Sequence, residues 1–324
     1  MPKAIRFYAT GGPEVLRWVD VAVGEPGEGQ ARIRHTAVGV NFLDTYQRTG
    51  LYTIALPSGL GSEAAGIIEA VGPGVTVVKP GDRVVYAGGP PGSYSEVRLI
   101  PANMLVPIPD DVTDETAVAV MLKGMTAQYL IRRTYAVKAG ETVLFHVAAG
   151  GVGLIACQWL KALGANVIGT VGSDEKVSIA KANGCDQVIV STKEDIAKRV
   201  REITQGVGVP VVYDSVGKDT FLSSLDCLKP FGMMVSFGNA SGKVTPFDIT
   251  LLSQKGSVYL TRPTLTTYTA ARADLEATAK YVFDFIRSCQ VKVEIRHRYP
   301  LAEAEQVHHD LEARRTVGSI IMFP

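Results

Sequence analysis

Cysteine and histidine are scarce in this chain of 324 residues, and that scarcity excludes several chemistries. The four cysteines, Cys157, Cys185, Cys227 and Cys289, are scattered, with no C-x-x-C pair. They fit thiols of a reduced, intracellular protein rather than a disulfide frame. A catalytic zinc needs converging Cys, His or acidic ligands. No cysteine precedes Cys157, and His35 is the only histidine before His146, so no metal is expected. His146 ends an apolar run and reads as a packed or hydrogen-bonded side chain, whereas His297, His308 and His309 in the tail are expected to be exposed. There is no G-x-S-x-G elbow and no cysteine with activating neighbours, so no nucleophile is evident. Net charge is also lacking: 33 basic residues stand against 32 acidic ones. That balance gives no case for nucleic acid or an anionic membrane as a partner. Lys198, Arg199 and Arg201 read as a solvated helix face. No apolar run reaches membrane-spanning length, and MPKAIRFYAT lacks a signal-peptide core, so a cytoplasmic location is expected.

What the chain does have is concentrated in residues 142–171, TVLFHVAAGGVGLIACQWLKALGANVIGTV. An apolar run, Thr142–Val147, meets a turn of small residues, Ala148 to Gly153. A helical stretch and a second apolar run, Val167–Val171, follow. Strand, glycine turn, helix and strand form the unit that places a dinucleotide pyrophosphate on a helix N-terminus. Small residues admit the phosphates, and Gly153 lets the helix pack close to the strand. The first position of G-x-G-x-x-G is Ala148.

Before this unit, up to about residue 120, short apolar runs alternate with Gly and Pro (GEPGEGQ, VGPGV, KPGDRVVYAGGPPG), which reads as a barrel-like or sandwich-like β domain. A helical pattern begins at Ala117. Beyond it VLFHV, NVIGTV, QVIV, PVVYD, MMVSF and SVYLT alternate with helical segments, a doubly wound parallel sheet of about six strands. The alternation stops near Thr261–Pro263. An amphipathic helix over about Arg272–Ser288 follows, then strand-like VKVEI and GSIIMF, which return to the first domain. The fold class is α/β, and the domains are read as 1–122 with 265–324, and 123–264.

In NAD-binding units an acidic residue about 20 positions past the glycine turn holds the ribose 2′-hydroxyl. Here that place reads Thr170-Val171-Gly172-Ser173, with Lys176 close behind. The Gly172 amide, the Ser173 hydroxyl and the Lys176 ammonium suit a 2′-phosphate, which favours NADP. Ser173 is also a candidate N-cap, and Asp174 turned inward would favour a free ribose instead. In the first domain NFLDTYQRTGLY (41–52) is dense in polar and aromatic groups. If it opens a helix, Asn41 caps it, and Asp44 and Arg48 form an i,i+4 pair. Glu63 in GSEAAG reads as a buried, paired acid, on a stretch of small residues closely approached by other backbone. With no metal and no nucleophile, hydride transfer remains, in which the cofactor carries the chemistry.

The segments GGPEVL, NFLDTYQRTGLY, GSEAAGIIEAVGPGV, GDRVVY, LKGMTAQYL, HVAAGGVGLIACQWLKALGA, VIGTVGSDEK, VVYDSVGKDTFLSSLDCL, MVSFGNASG and KGSVYLTRPTL span essentially the whole chain. Taken in order, they resemble the zeta-crystallin-like quinone oxidoreductases of the zinc-free medium-chain dehydrogenase/reductase superfamily, most of all the bacterial NADPH:quinone reductases. The resemblance implies a GroES-like catalytic domain, a Rossmann domain, and NADPH in the cleft between them. Ser62 stands where zinc-dependent relatives carry histidine before the glutamate.

Cofactor contacts implied by the resemblance begin at Phe42, Thr45 and Tyr46, and continue with Thr126 and Tyr129. Gly151 and Val152 lie at the turn, and Gly172, Ser173 and Lys176 hold the 2′-phosphate. Ser191 takes the place of a tyrosine frequent in close relatives. Ser215, Val216, Phe237, Gly238 and Asn239 follow later strands, and Arg262, Pro263, Thr264 and Arg314 complete the set. Asn41, Tyr46, Tyr52 and Arg262 would position and polarise a quinone or similar conjugated carbonyl, with Tyr46 a candidate proton donor and Asp44 orienting the segment. The resemblance implies a homodimer, with a tetramer as the alternative, and KGSVYLT would be a sheet edge of the kind that invites pairing. The rival readings are an enoyl-thioester or alkenone reductase of the same superfamily and, from another class, a non-catalytic NADPH-binding structural or RNA-binding protein.

Overall fold

Apolar runs broken by Gly and Pro make strands of the first third of the chain. The structure is a computed structural model and describes residues 1–288 and 290–324; Cys289 lies outside the described residues. The chain divides into two compact units, Met1–Met125 with Thr269–Asp284 and Val293–Pro324, and Thr126–Tyr268 with Phe285–Lys292.

The N-terminal part supplies β1 (Lys3–Phe7), β2 (Arg17–Asp20), β3 (Gln30–Val40), α1 (Phe42–Arg48), β4 (Ser58–Gly59), β5 (Glu63–Val71), β6 (Arg83–Ala87), β7 (Val97–Pro101), β8 (Val106–Pro107) and α2 (Asp114–Tyr129). The long strand β3 pairs antiparallel with β5 and β7, and irregularities at Arg32/Ile33 and His35/Ala37 bend it. Gly66 sits opposite this bend. A Cβ there would lie 2.1 Å from the Arg34 carbonyl oxygen, the close backbone approach expected of GSEAAG. Ile33, Val38, Ile68, Val84 and Tyr86 are buried in the core of this unit. Helix α2 starts at Asp114, three residues earlier than expected, and runs on into one wider turn, where Tyr135 N donates to Leu130 O (3.2 Å).

The second unit supplies β9 (Thr142–Phe145), α3 (Gly151–Ala162), β10 (Asn166–Val171), α4 (Val177–Ala182), β11 (Gln187–Val190), α5 (Ile196–Ile203), β12 (Val209–Asp214), α6 (Phe221–Asp226), β13 (Leu228–Ser236), α7 (Thr250–Gln254), β14 (Tyr259–Thr261) and α8 (Leu265–Tyr268). Its six strands are parallel in the order β11-β10-β9-β12-β13-β14. Every residue of β12 is buried, as a strand covered on both faces requires. Strand order reverses between β9 and β12. In such sheets ligands bind outside the carboxyl ends at that reversal.

The tail forms α9 (Arg272–Arg287), β15 (Ile295–Pro300), α10 (Ala304–Glu312) and β16 (Ser319–Phe323), and β16 pairs antiparallel with β3. The expected strand VKVEI is absent over most of its length. Gln158 takes the backbone of Lys292 through both ends of its amide (2.8 and 3.2 Å), and pairing with β16 begins only at Ile295.

Three further expectations are corrected. His308 is buried: α10 turns Ala304, Val307, His308 and Leu311 inward, the i, i+3, i+4, i+7 stripe of a helix. Arg201 is no solvated side chain; it donates to the carbonyls of Gly206, Val207, Asp226 and Leu228. Asp44 and Arg48 do not pair, because each has a different partner.

Candidate functional site

The candidate residues fall into two groups, and each is described within its own unit. In the first unit, Asn41 is extended (φ −137°, ψ 153°) and caps α1; its N–H donates to Asp44 Oδ2 (2.8 Å). The Asn41 side-chain amide donates to Glu63 Oε2 (2.8 Å). Glu63 is fully buried, and its other partners are Lys123 Nζ (3.2 Å) and the Leu122 amide (2.6 Å), so it is the paired acid that the sequence suggested. Gly39 makes room for it, since a Cβ there would lie 2.3 Å from Glu63 Oε2.

Behind α1 runs a chain of buried groups. Arg48 donates to His308 Nδ1 (3.2 Å) and to Glu312 Oε1 (2.7 Å). A guanidinium cannot accept, so Nδ1 accepts and Nε2 carries the proton, donating to the Tyr94 oxygen (3.2 Å). Tyr94 in turn donates to Asp44 Oδ2 (2.9 Å). Burial raises the Asp44 carboxyl to about 7, although the Asn41 amide and Tyr94 hydroxyl pull it down. Burial likewise lowers His308 to about 3, helped by the Arg48 charge.

Elsewhere on α1 the buried Tyr46 ring meets Tyr52 edge-on at 5.2 Å and Phe42 at 6.1 Å. Thr45 Oγ1 is buried and has no partner. Arg314, just past α10, has φ 59° and belongs to this unit.

In the second unit the candidates gather at the carboxyl ends of the strands. After β9, Val147 adopts φ 56°, a left-handed conformation that is costly for a β-branched residue. The Gly150 amide closes the turn onto Val147 O (2.9 Å), and a Cβ on Gly153 would lie 2.3 Å from that same oxygen. Gly151 and Val152 then open α3, where first-turn amides have no acceptor within the helix.

After β12, the amides of Val216 and Gly217 donate to Asp214 Oδ1 (2.7 and 3.1 Å). After β13, Gly238 packs against Ser215, and Phe237 lies 5.8 Å from Phe145. A Cβ on Gly217 would lie 3.3 Å from the Cα of Asn239, so these two loops also meet. Arg262 donates to Gly238 O (2.9 Å) and Ser236 Oγ (3.2 Å), fixing it at the end of β13. Thr264 shares a hydrogen bond with Thr267 (3.0 Å), one residue beyond Pro263. Thr126 is buried, and Tyr129 stacks on Tyr268 at 4.5 Å.

At the end of β10 the carboxylates are committed locally. Asp174 pairs with Lys193, and Glu175 accepts from the Ser173 hydroxyl (3.4 Å). Ser173 therefore makes no side-chain cap. Ser191 Oγ donates to Val171 O (3.1 Å), and a Cβ on Gly172 would meet nothing within 4 Å.

Sequence reasoning did not assign several residues of this machinery. Lys123, Tyr94 and His308 in the first unit, and Thr170, Ser224 and Asp214 in the second, join through contacts remote in sequence. Among the described residues no group of three or more His, Cys, Asp or Glu is placed to hold a metal ion. Cys157, Cys185 and Cys227 are buried free thiols; a hydrogen bond with Cys185, then burial, raises the Cys157 thiol, and burial pushes Cys227 up to about 12. No helix among the described residues is long and apolar enough to cross a membrane.

Both the sequence and the fold have relatives among known proteins. The alcohol dehydrogenase GroES-like domain family matches residues 27–110, and the zinc-binding dehydrogenase family matches residues 151–282. A quinone oxidoreductase of Pseudomonas aeruginosa is 54% identical across 100% of both chains. The structure of a quinone oxidoreductase from Pseudomonas syringae superposes with a TM-score of 0.98 at 53% identity, covering 100% of both chains. The Escherichia coli quinone oxidoreductase, solved in complex with NADPH, gives 0.98 at 49% identity over 99% of this chain and 100% of that one.

Proposed function

The chain belongs to the quinone oxidoreductases of the medium-chain dehydrogenase/reductase superfamily, and from that premise we propose that it reduces quinones with NADPH by hydride transfer, without a metal. The observation that carries the cofactor reading is the end of β10. Asp174 is held by Lys193 and Glu175 by the Ser173 hydroxyl, so neither carboxylate is turned to a ribose 2′-hydroxyl. The Gly172 amide and the Lys176 charge suit a 2′-phosphate, and the Ser173 hydroxyl would exchange Glu175 for it. Two features fit the rest of a dinucleotide. The first-turn amides of α3 suit its pyrophosphate, and the buried, unpartnered Thr45 Oγ1 suits a polar group of a bound ligand.

Bound NADPH supplies the hydride. The chain's own residues orient the reactants and provide a proton. Gly151 and Val152 would take the pyrophosphate, and Phe237, Gly238, Asn239 and Arg262 would hold the nicotinamide side. Tyr129, Thr126, Ser191, Ser215, Val216, Pro263, Thr264 and Arg314 would complete the binding set. Asn41, anchored on Glu63, keeps a second amide N–H for an acceptor oxygen. Tyr46 and Tyr52 form an aromatic pair against which a quinone ring would pack, and the Tyr46 hydroxyl is our candidate for the proton donor. Asp44 sets the position of this segment through the Asn41 amide.

The nucleotide-binding domain is taken as 123–264 and the catalytic domain as the remainder. A homodimer is the assembly we favour, because β14 is an edge strand with Tyr259 exposed; a sedimentation mass near 34.6 kDa would remove it. A cytoplasmic location and the absence of a nucleic-acid partner rest on the free thiols and the balanced charge.

The test is NADPH oxidation with 1,4-benzoquinone or a naphthoquinone, with NADH as the control nucleotide, a chelator series, and a crotonyl thioester as the competing substrate. We expect chelator-insensitive quinone turnover that prefers NADPH. Turnover of the thioester alone would move the assignment to an enoyl reductase, and loss of rate with chelator would overturn the metal-free mechanism.

A further inference from the structure

His146, Ser224 and Asp214 hold the residue types of a hydrolytic triad, yet the geometry rules that use out. All three are buried. The Ser224 hydroxyl donates to Asp214 Oδ2 (2.7 Å) rather than to the histidine. What the group does is set by where its hydrogen bonds end.

Their directions can be assigned one by one. Asp214 is surrounded by donors: the Val216 and Gly217 amides on Oδ1, and the hydroxyls of Thr220 (2.7 Å) and Ser224 on Oδ2. Ser224 has given its proton to Asp214, so toward His146 Nε2 (3.0 Å) it can only accept. Nε2 therefore carries the imidazole proton, and Nδ1 accepts from the Thr170 hydroxyl (3.1 Å). The Thr170 oxygen, with its proton spent, accepts from the Val147 amide (3.2 Å). The result is a one-way chain that starts at the backbone of Val147 and ends on a carboxylate holding the backbone of Val216 and Gly217.

Those two ends are the loops after β9 and β12, the neighbouring strands between which the sheet order reverses. One end is strained: Val147 holds a left-handed φ of 56°, which persists only where surrounding contacts over-determine it. Its carbonyl is the atom against which Gly150 and Gly153 close the turn into α3.

We propose that His146 is a positioning residue for the cofactor, and that with Thr170, Ser224 and Asp214 it fixes the Val147 turn and the Val216–Gly217 loop in the one spacing that receives the dinucleotide pyrophosphate. This rests on the reading that NADPH binds at the β9/β12 reversal. The network touches no cofactor atom itself. It acts by removing conformational freedom that binding would otherwise have to remove.

The test is direct binding, independent of turnover. NADPH and adenosine 2′-phosphate are titrated against wild type and His146→Phe by calorimetry. Adenosine 2′-phosphate lacks the pyrophosphate and so reports only the Gly172–Ser173–Lys176 end. We expect His146→Phe to weaken NADPH by about tenfold or more while adenosine 2′-phosphate stays within about twofold. Equal NADPH affinity in a folded His146→Phe, or parallel weakening of both ligands as general loosening would give, overturns the proposal. If His146→Phe does not fold, Thr170→Val against Thr170→Ser makes the same comparison, with the retained hydroxyl expected to restore binding. Wild type that fails to bind NADPH removes the underlying reading, and the proposal with it.

Discussion

At the scale of single residues, the pair Glu63–Lys123 decides more than its size suggests. Both side chains are buried, and Glu63 also fixes Asn41 and the Leu122 amide. Removing one member of such a pair strands a charge away from water, at about 3–5 kcal/mol. Lys123→Met should therefore lower the unfolding free energy, read by urea titration, by that amount. Adding Glu63→Gln should recover a good part of it, since the stranded charge goes as well. A double variant no more stable than Lys123→Met would show that the pair contributes through packing instead. The sequence marked Glu63 as a paired acid but left its partner unnamed. Lys123 lies 60 positions away in a helical stretch, and no periodicity connects the two.

At the scale of elements, α1 is a seven-residue helix held by a buried carboxyl at its third position. Asp44 keeps its proton up to about 7 in the folded chain, against 3.8 as its ordinary value. A group with a raised folded value contributes stability that is complete below about 3.8 and is lost as pH rises through about 7. Asp44→Asn carries no such titration. Measured by urea unfolding, wild type should thus lose ground to Asp44→Asn between pH 5 and pH 8, and a gap that stays constant over that range would contradict it. The groups that face Asp44 are the Asn41 amide, Tyr94, Glu63 and Lys123. Elements were legible where pattern and packing agree. The alternation from VLFHV to SVYLT specifies six parallel strands because the central ones, β9, β10 and β12, are buried along nearly their whole length. VKVEI failed because one glutamine, Gln158, takes backbone that the strand pattern had assigned to a ladder.

At the scale of the whole molecule, three histidines are buried and neutral. Burial lowers His35 and His308 to about 3 and also lowers His146. His35 gives its Nδ1 proton to Ser95 O (2.6 Å) and accepts from Tyr86 (3.0 Å). Unfolded histidine protonates near 6.5, so the stability these groups contribute is present above 6.5 and fades as pH falls toward 3. Asp44 opposes them with one proton. Around pH 5 His35 and His308 should take up about two protons on unfolding while Asp44 releases about one, a net uptake of about one to which His146 adds, and the unfolding free energy should fall accordingly with each pH unit. Denaturant titrations from pH 7 to pH 4 would show it, and His308→Gln should reduce the slope by about one proton. A flat profile would mean that these histidines reach water before the chain unfolds. Their burial was half legible. The stripe Ala304, Val307, His308, Leu311 was there to be read, but a histidine so near a charged C-terminal segment reads as surface until its partners are known.

The last strand, β16, lies beside β3, so the first unit includes residues from both ends of the sequence. Residues 126–268 of the second unit are continuous. During synthesis the later-encoded sheet can close before the earlier-encoded one is complete, and Val38–Val40 of β3 wait unpaired on one side until β16 has been made. The order in which the chain is written is then the reverse of the order in which its halves are finished. A premature stop just before β16 would leave the nucleotide sheet whole and the other half open at Val38–Val40 of β3, where unpaired backbone invites the wrong neighbour.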